Sequence, residues 1–247
     1  MTAVLVTGAT GKQGGALIRN LVHRKSPFEI LAAAIGNNSE ETQGKALIDE
    51  SIKQDVKFFV YSSVDRGGEE RSFNNPTSIL HFIKKNNIEH HLVDRTVDIG
   101  MKWTILRPVA FFENLTPDFF RKVFATCFKM ALGGKSLQLV ATSDIGFFGA
   151  ETFMKPEQYK GKAISIAGDE LTFDGMRSIF EQKTQHSLPM TFRPVCPLFM
   201  AMMKDMGYMF KWFRDEGYKA DIPSLRSTNP EMMDFATWLE KESGFKK

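Results

Sequence analysis

The stretch AVLVTGATGKQGG, residues 3–15, carries the architecture of the whole chain. Its first five residues are almost all apolar and rich in β-branched side chains, as in a strand buried on both faces of a parallel sheet. The glycine-rich loop GATGKQGG breaks that pattern at once. Apolar residues then return at Ala16, Leu17, Leu21 and Val22, which is helical spacing. Strand, glycine loop and helix in this order make an anion cradle. Gly8 serves the tight turn, Gly11 lets the backbone approach a pyrophosphate, and Gly14 lets the helix sit close to the sheet. The helix N-terminus offers free N–H groups and partial positive charge. Thr10, Lys12 and Gln13 are placed to add side-chain contacts.

Outward from this loop the chain alternates strand and helix. The helix closes on His23, Arg24 and Lys25, basic residues favourable at a C-terminus, and Ser26-Pro27 stops it. Residues 28–35 read as a strand. Residues 38–54 read as a helix, with Asn38 able to cap it and Glu41 three positions on. Further strands are expected at 56–64 and 103–106, and a helix at 77–93. This βαβα order predicts an α/β protein with a doubly wound parallel sheet. Beyond Pro108 the expected elements are helices at 116–131 and 171–185 and short strands at 137–140 and 163–167. Residues 195–213 carry an apolar stripe rich in Met and aromatics, read as a buried helix broken at Gly207. The competing reading is a surface that grips a partner or lid. Domain boundaries are expected at 1–135 for the nucleotide-binding part and 136–247 for a smaller C-terminal subdomain, with some segments returning to the core.

The 247 residues suffice for a sizeable core without a disulfide or metal staple. With 43% hydrophobic and 25% charged residues, disorder and collagen-like sequence are excluded. A net charge of +3, dispersed along the chain, gives no footprint for direct nucleic-acid binding. No apolar run is long enough for a membrane helix. The N-terminus runs straight into strand and loop, so no signal peptide is expected. Cys127 and Cys196 are far apart in sequence, match no zinc spacing, and read as reduced thiols in a cytoplasmic or nuclear setting.

Four motifs in order, GATGKQGG (8–15), YSSVDRGG (61–68), WTILRPVAFFENL (103–115) and YKGKAISIAGDELTF (159–173), resemble the NmrA-like family of atypical short-chain dehydrogenases. The resemblance implies a Rossmann domain binding NADP(H) or NAD(H). It also implies one of two roles: a redox-sensing or regulatory binder with a protein partner, or a reductase of the isoflavone- or quinone-reductase type. A third outcome is a folded relic without a cofactor site. Substrate and oligomeric state are not readable.

One stretch departs from that pattern. A selector for NAD or NADP belongs about 20 positions beyond the glycine loop. Residues 31–35 read LAAAI and offer neither acid nor base. In the family a second strand, a helix and two further strands intervene here. One short strand cannot flank the first strand on both sides. Three readings stay open: residues missing between Leu31 and Asn37, an internal deletion, or a smaller sheet rebuilt from 28–35. A real deletion would leave an apolar edge beside the first strand uncovered.

The short-chain dehydrogenase signature, a Tyr with a Lys one helical turn later, is absent. None of Tyr61, Tyr159, Tyr208 and Tyr218 has it. On the corresponding helix Lys85 resembles the family's ribose-contacting lysine, and His81 stands where the Tyr would be. His81 is a candidate proton donor, against a plain surface or cap histidine. Ser62 and Ser63 end a strand beside the expected nicotinamide site, or simply satisfy backbone groups. Pro108 and Val109 follow the last core strand near the same place. Asn114 and Glu113 adjoin it, Glu113 read as a solvated helix-start acid. His90 and His91 diverge by about 100° on a helix and are not expected to share a metal ion.

Overall fold

The computed structural model describes residues 2–33, 39–115, 119–192 and 194–245. The N-terminal half alternates as expected: β1 (Thr2–Thr7), α1 (Lys12–His23), β2 (Phe28–Ala33), α2 (Glu40–Lys53), β3 (Phe58–Ser62), α3 (Glu69–Ser72), α4 (Leu80–Thr96) and β4 (Lys102–Pro108). There follow β5 (Ala110–Phe111), a 3-10 turn (Phe112–Leu115), α5 (Phe119–Leu132), β6 (Leu137–Val140), α6 (Thr142–Met154), α7 (Pro156–Tyr159), β7 (Lys162–Ile166) and β8 (Asp169–Leu171). The chain closes with α8 (Phe173–Thr184), α9 (Val195–Met202), α10 (Lys204–Asp215), α11 (Ile222–Thr228) and α12 (Phe235–Lys241).

The α/β order holds, but the sheet is split. Among the described residues β1 pairs only with β2, in parallel, Thr2 opposite Phe28 through Thr7 opposite Ala33. A second sheet runs β3-β4-β7, all parallel. A third joins β5, β6 and β8, the last antiparallel. Residues 28–33 form one strand beside β1. Among the described residues no strand pairs with the other edge of β1. Residues Ala34, Ile35, Asn38 and Thr116, which the sequence reading assigned to a strand or to helix starts, lie outside the described residues.

Burial follows from this division. The largest core gathers β4–β6 and helices α5, α6, α8, α10 and α12 around Phe112, Phe128, Phe180, Phe210 and Trp238. A second core sets Ile48 of α2 against Ile88 and Leu92 of α4 over Ile105 of β4. Beneath β1 only Val4, Val6, Leu21 and Ala150 are fully buried together. At roughly 1.5–3 kcal/mol per buried aliphatic side chain, the β1–β2 flap is the least secured part of the fold.

Three local expectations change. Ser39, not Asn38, caps α2, its hydroxyl accepting from the Thr42 amide. The apolar stripe breaks at Met203, between α9 and α10, while Gly207 lies inside α10 where it nears the Met200 carbonyl; a Cβ there would sit 3.0 Å from that oxygen. The stripe is also not buried throughout, because Phe210 and Phe213 are inside while Met202 and Met203 are exposed. Finally, Cys127 and Cys196 are not free thiols. α9 folds back on α5 and joins them as a disulfide, with Cα atoms 5.6 Å apart and within bridging range. Their sequence separation of 69 hid that proximity.

Candidate functional site

The loop after β1 is built as its glycines require. Gly8 has φ +65, where a side chain is strained, and its amide donates to the Ala33 carbonyl at 3.0 Å, tying the loop to β2. A Cβ on Gly14 would lie 2.4 Å from the Gly8 carbonyl oxygen, so α1 sits against the turn as only glycine permits. Gly11 is the N-cap of α1 and supplies no capping side chain. The first intrahelical bond runs from the Gly15 amide to the Gly11 carbonyl. The amides of Lys12, Gln13 and Gly14 therefore point out of the helix end, and its first turn holds no acid. This is a cradle for an anion.

Beside it lies a cavity of about 640 Å³. Seven of the expected site residues line it: Lys12, Gln13, Ser63, His81, Lys85, Pro108 and Val109. Glu113 and Asn114 are at its wall, and Met206, Met209 and Phe213 of α10 close the far side. Gly8, Thr10 and Gly11 form the loop without lining this cavity. Ser62 and Gly14 face a neighbouring slot that Gln13 and Lys85 also border.

Arg66, Glu89 and Arg107 form a fully buried ion triad. Glu89 of α4 accepts from Arg66 at 2.7 Å and from Arg107 of β4 at 2.7 and 3.2 Å. Burial pushes Glu89 up, but the two guanidinium groups outweigh it and hold its pKa below the usual carboxylate value. Arg66 also reaches the Val64 carbonyl and the Ser63 hydroxyl, fixing the strand end that faces the cavity. Before it, Asp65 accepts from the amides of Gly67, Gly68 and Lys219 and from the Ser165 hydroxyl. The DRGG motif thus fastens β3 to β7 and to the C-terminal part.

The two candidate catalytic residues have partners that sequence reading missed. Lys85 pairs with Glu40 at 2.7 Å, donates to the Ser62 carbonyl at 3.2 Å, and lies 5.6 Å from the Tyr61 ring centre. His81 Nδ1 is 3.3 Å from Asp205 of α10. The same carboxylate accepts from the Leu80 and His81 amides and caps α4 across the fold. Burial pushes Asp205 up, yet these amides and the imidazole hold it below its ordinary value. Ser62 Oγ donates to Gln13 Oε1 at 2.5 Å, linking the β3 end to the glycine loop. Glu113 is not solvated: it accepts from the amide and hydroxyl of Thr142 and caps α6. His90 donates to the Phe73 carbonyl and His91 faces Asp49, so each imidazole has its own structural partner.

A model of the NmrA-like family matches residues 28–240. The chain belongs to the NmrA-like family. Solved structures with the same fold agree. The NADPH-dependent quinone oxidoreductase of Escherichia coli, solved with NADPH, superposes with a TM-score of 0.70 at 15% identity, over 96% of this chain and 98% of that one. NmrA, a negative transcriptional regulator, gives 0.69 at 13% identity over 98% and 96%. The triphenylmethane reductase of a Citrobacter species, with NADP(H), gives 0.66 at 15% over 96% and 99%. In this NmrA-like chain no helix among the described residues is long and apolar enough to cross a membrane.

Proposed function

We propose that this NmrA-like protein binds NADP(H) through the α1 cradle and acts as a redox-sensing or regulatory binder read by a protein partner. The observation that carries the binding is the uncapped N-terminus of α1, where Gly14 packs against Gly8 and leaves the amides of residues 12–14 open to a pyrophosphate. Lys12 and Gln13 would flank the phosphates. Ser63, Lys85, Pro108 and Val109 would line the nicotinamide end. Family neighbours solved with NAD, NADP or NADPH support the same reading. A sensor requires only that oxidised and reduced cofactor bind two conformations unequally.

The absence of a Tyr with a Lys one helical turn later favours a binder over an enzyme. Tyr61, which borders the neighbouring slot and not the cavity, has a buried hydroxyl without a hydrogen-bond partner. Burial, reinforced by Glu40 and Glu89, pushes its pKa far up. The one observation favouring a reductase is the His81–Asp205 pair at the cavity wall. There Asp205 would orient the imidazole as proton donor while bound NADPH supplies hydride. Calorimetric titration with NADPH, NADP and NAD, followed by NADPH oxidation with a panel of quinones and enones, tests both. Binding without turnover supports the sensor. Turnover lost in Lys85→Ala supports the reductase, and no binding overturns both.

A further inference from the structure

The Cys127–Cys196 disulfide ties together segments that wall the 640 Å³ cavity. Cys127 of α5 stands one helical turn after Val123 and Phe124, on the same face, and both of those residues line the cavity. Cys196 lies in the first turn of α9, which passes through Met203 into α10. Met206, Met209 and Phe213 of α10 line the cavity in turn. Phe210 of α10 meets Phe124 of α5 with ring centres 5.6 Å apart. Asp205, in the first turn of α10, accepts from the Leu80 and His81 amides at 2.7 and 3.3 Å. Bridge, cavity wall and the start of α4 are therefore joined in series.

We propose that Cys127 and Cys196 are a reversible redox pair, whose disulfide clamps α10 against the cavity and whose dithiol form releases it. The fold does not need this bridge as a staple. Both cysteines belong to the largest core, beside Phe128 and Phe210, and bridges are required chiefly where a small domain lacks such a core. The junction that the bridge secures is otherwise lightly held. α9 has eight residues and packs against α5 and α10. Met203 starts α10 without a side-chain cap, and Met202 is 77% exposed. Both cysteines are fully buried, so exchange proceeds through opening of this short helix. The helix end beside Cys196 favours a thiolate, the form that attacks and leaves in exchange. The co-reactant is a low-molecular-weight disulfide of the glutathione class. One cysteine thiolate attacks a sulfur of that disulfide and expels a first thiolate. The second cysteine attacks the mixed disulfide and expels the other. One S–S bond breaks and one forms. Two electrons pass to the co-reactant, and the two cysteine protons end on the released thiols. Reduction runs the same steps backwards, and α10 then carries Asp205 away from the Leu80 and His81 amides. This inference needs no bound nucleotide.

The test uses the full chain, equilibrated without oxygen across a range of reduced-to-oxidised glutathione ratios. Free thiols are trapped by alkylation and counted by mass. Both cysteines are expected to pass together from alkylated to bridged within that range. Amide hydrogen exchange, resolved by residue, compares the two forms. The reduced form is expected to keep one cooperative thermal transition. It is expected to exchange the Leu80 and His81 amides and those of α10 about tenfold faster, with β4 unchanged. Cys127→Ala and Cys196→Ala combined are expected to show the fast exchange at every glutathione ratio. The proposal is overturned by a bridge that persists at every ratio or by thiols that never pair. Equal exchange at Leu80 and His81 in the two forms, or unfolding of the reduced chain, also overturns it.

Discussion

The Lys85 ammonium lies 2.7 Å from the Glu40 carboxylate, and this pair couples the helix that follows β2 to the wall of the 640 Å³ cavity. Lys85 is 20% and Glu40 43% exposed at the side chain, so the pair contributes on the order of 0.2–1 kcal/mol after solvent screening. If Lys85 is the ribose contact, Glu40 competes for it. Glu40→Gln is therefore expected to tighten NADPH binding by roughly twofold to fivefold. Lys85→Ala is expected to weaken it by at least that much. Isothermal titration of the two variants checks the opposite signs, and a Glu40→Gln variant that binds more weakly would remove Lys85 from the site.

The glycine loop makes a sharper contrast. A methyl group on Gly14 meets the Gly8 carbonyl at 2.4 Å, a backbone atom that cannot swing away. One on Gly15 meets the tip of the flexible Arg19 side chain at 3.3 Å and the Ala9 carbonyl at an ordinary contact distance of 3.5 Å. Gly14→Ala is expected to cost about 1–3 kcal/mol and to abolish detectable NADPH binding. Gly15→Ala is expected to be neutral or stabilising by up to about 1 kcal/mol, as alanine is inside a helix. Thermal melts and titrations of both variants give the comparison.

These contrasts show which parts of the site were legible in the sequence. The strand–loop–helix unit was, because Gly8, Gly11 and Gly14 are constrained by neighbours a few residues away. The positions of Lys85 and His81 at one cavity were legible through family resemblance, since α4 is an ordinary long helix. Their partners were not. Asp205 caps α4 from 124 residues away. Glu40 reaches Lys85 because α2 packs against α4 directly, and residue types alone do not fix that placement. Glu113 carried the mark of a first-turn acid, yet it caps a different helix, α6, which starts at Thr142. The missing selector was visible as LAAAI, but its consequence, two open strand edges facing one slot, required coordinates.

The Arg66–Glu89–Arg107 triad predicts a large asymmetry between breaking and keeping charge. All three side chains are fully buried. Glu89→Ala leaves two guanidinium groups inside without their shared carboxylate and is expected to cost about 3–5 kcal/mol. Because the folded pKa of Glu89 is depressed, its contribution is present above the ordinary glutamate value and is lost only as pH falls through the lower folded value. Urea melts of Glu89→Ala and the parent chain at neutral pH measure the cost. A loss below about 1 kcal/mol would show that water reaches the triad.

Asp144, in the first turn of α6, gives the opposite pH dependence. It accepts from the Met233 amide at 3.0 Å and from Asn229 at 3.1 Å, clasping the segment before α12. Burial, with the charge of Glu242, pushes its pKa up to about 7 despite those two donors. The folded chain therefore holds a proton that an unfolded aspartate, with an ordinary pKa of 3.8, has already released. Asp144's stabilising contribution is complete below about pH 4 and declines as pH rises through about 7, by up to roughly 4 kcal/mol. Asp144→Asn cannot titrate, so the stability difference between variant and parent should shift in the variant's favour as pH rises from 4 to 8. Chemical denaturation at pH 4, 6 and 8 reads this directly, and parallel curves for the two proteins would mean that Asp144 is ionised in the folded state throughout.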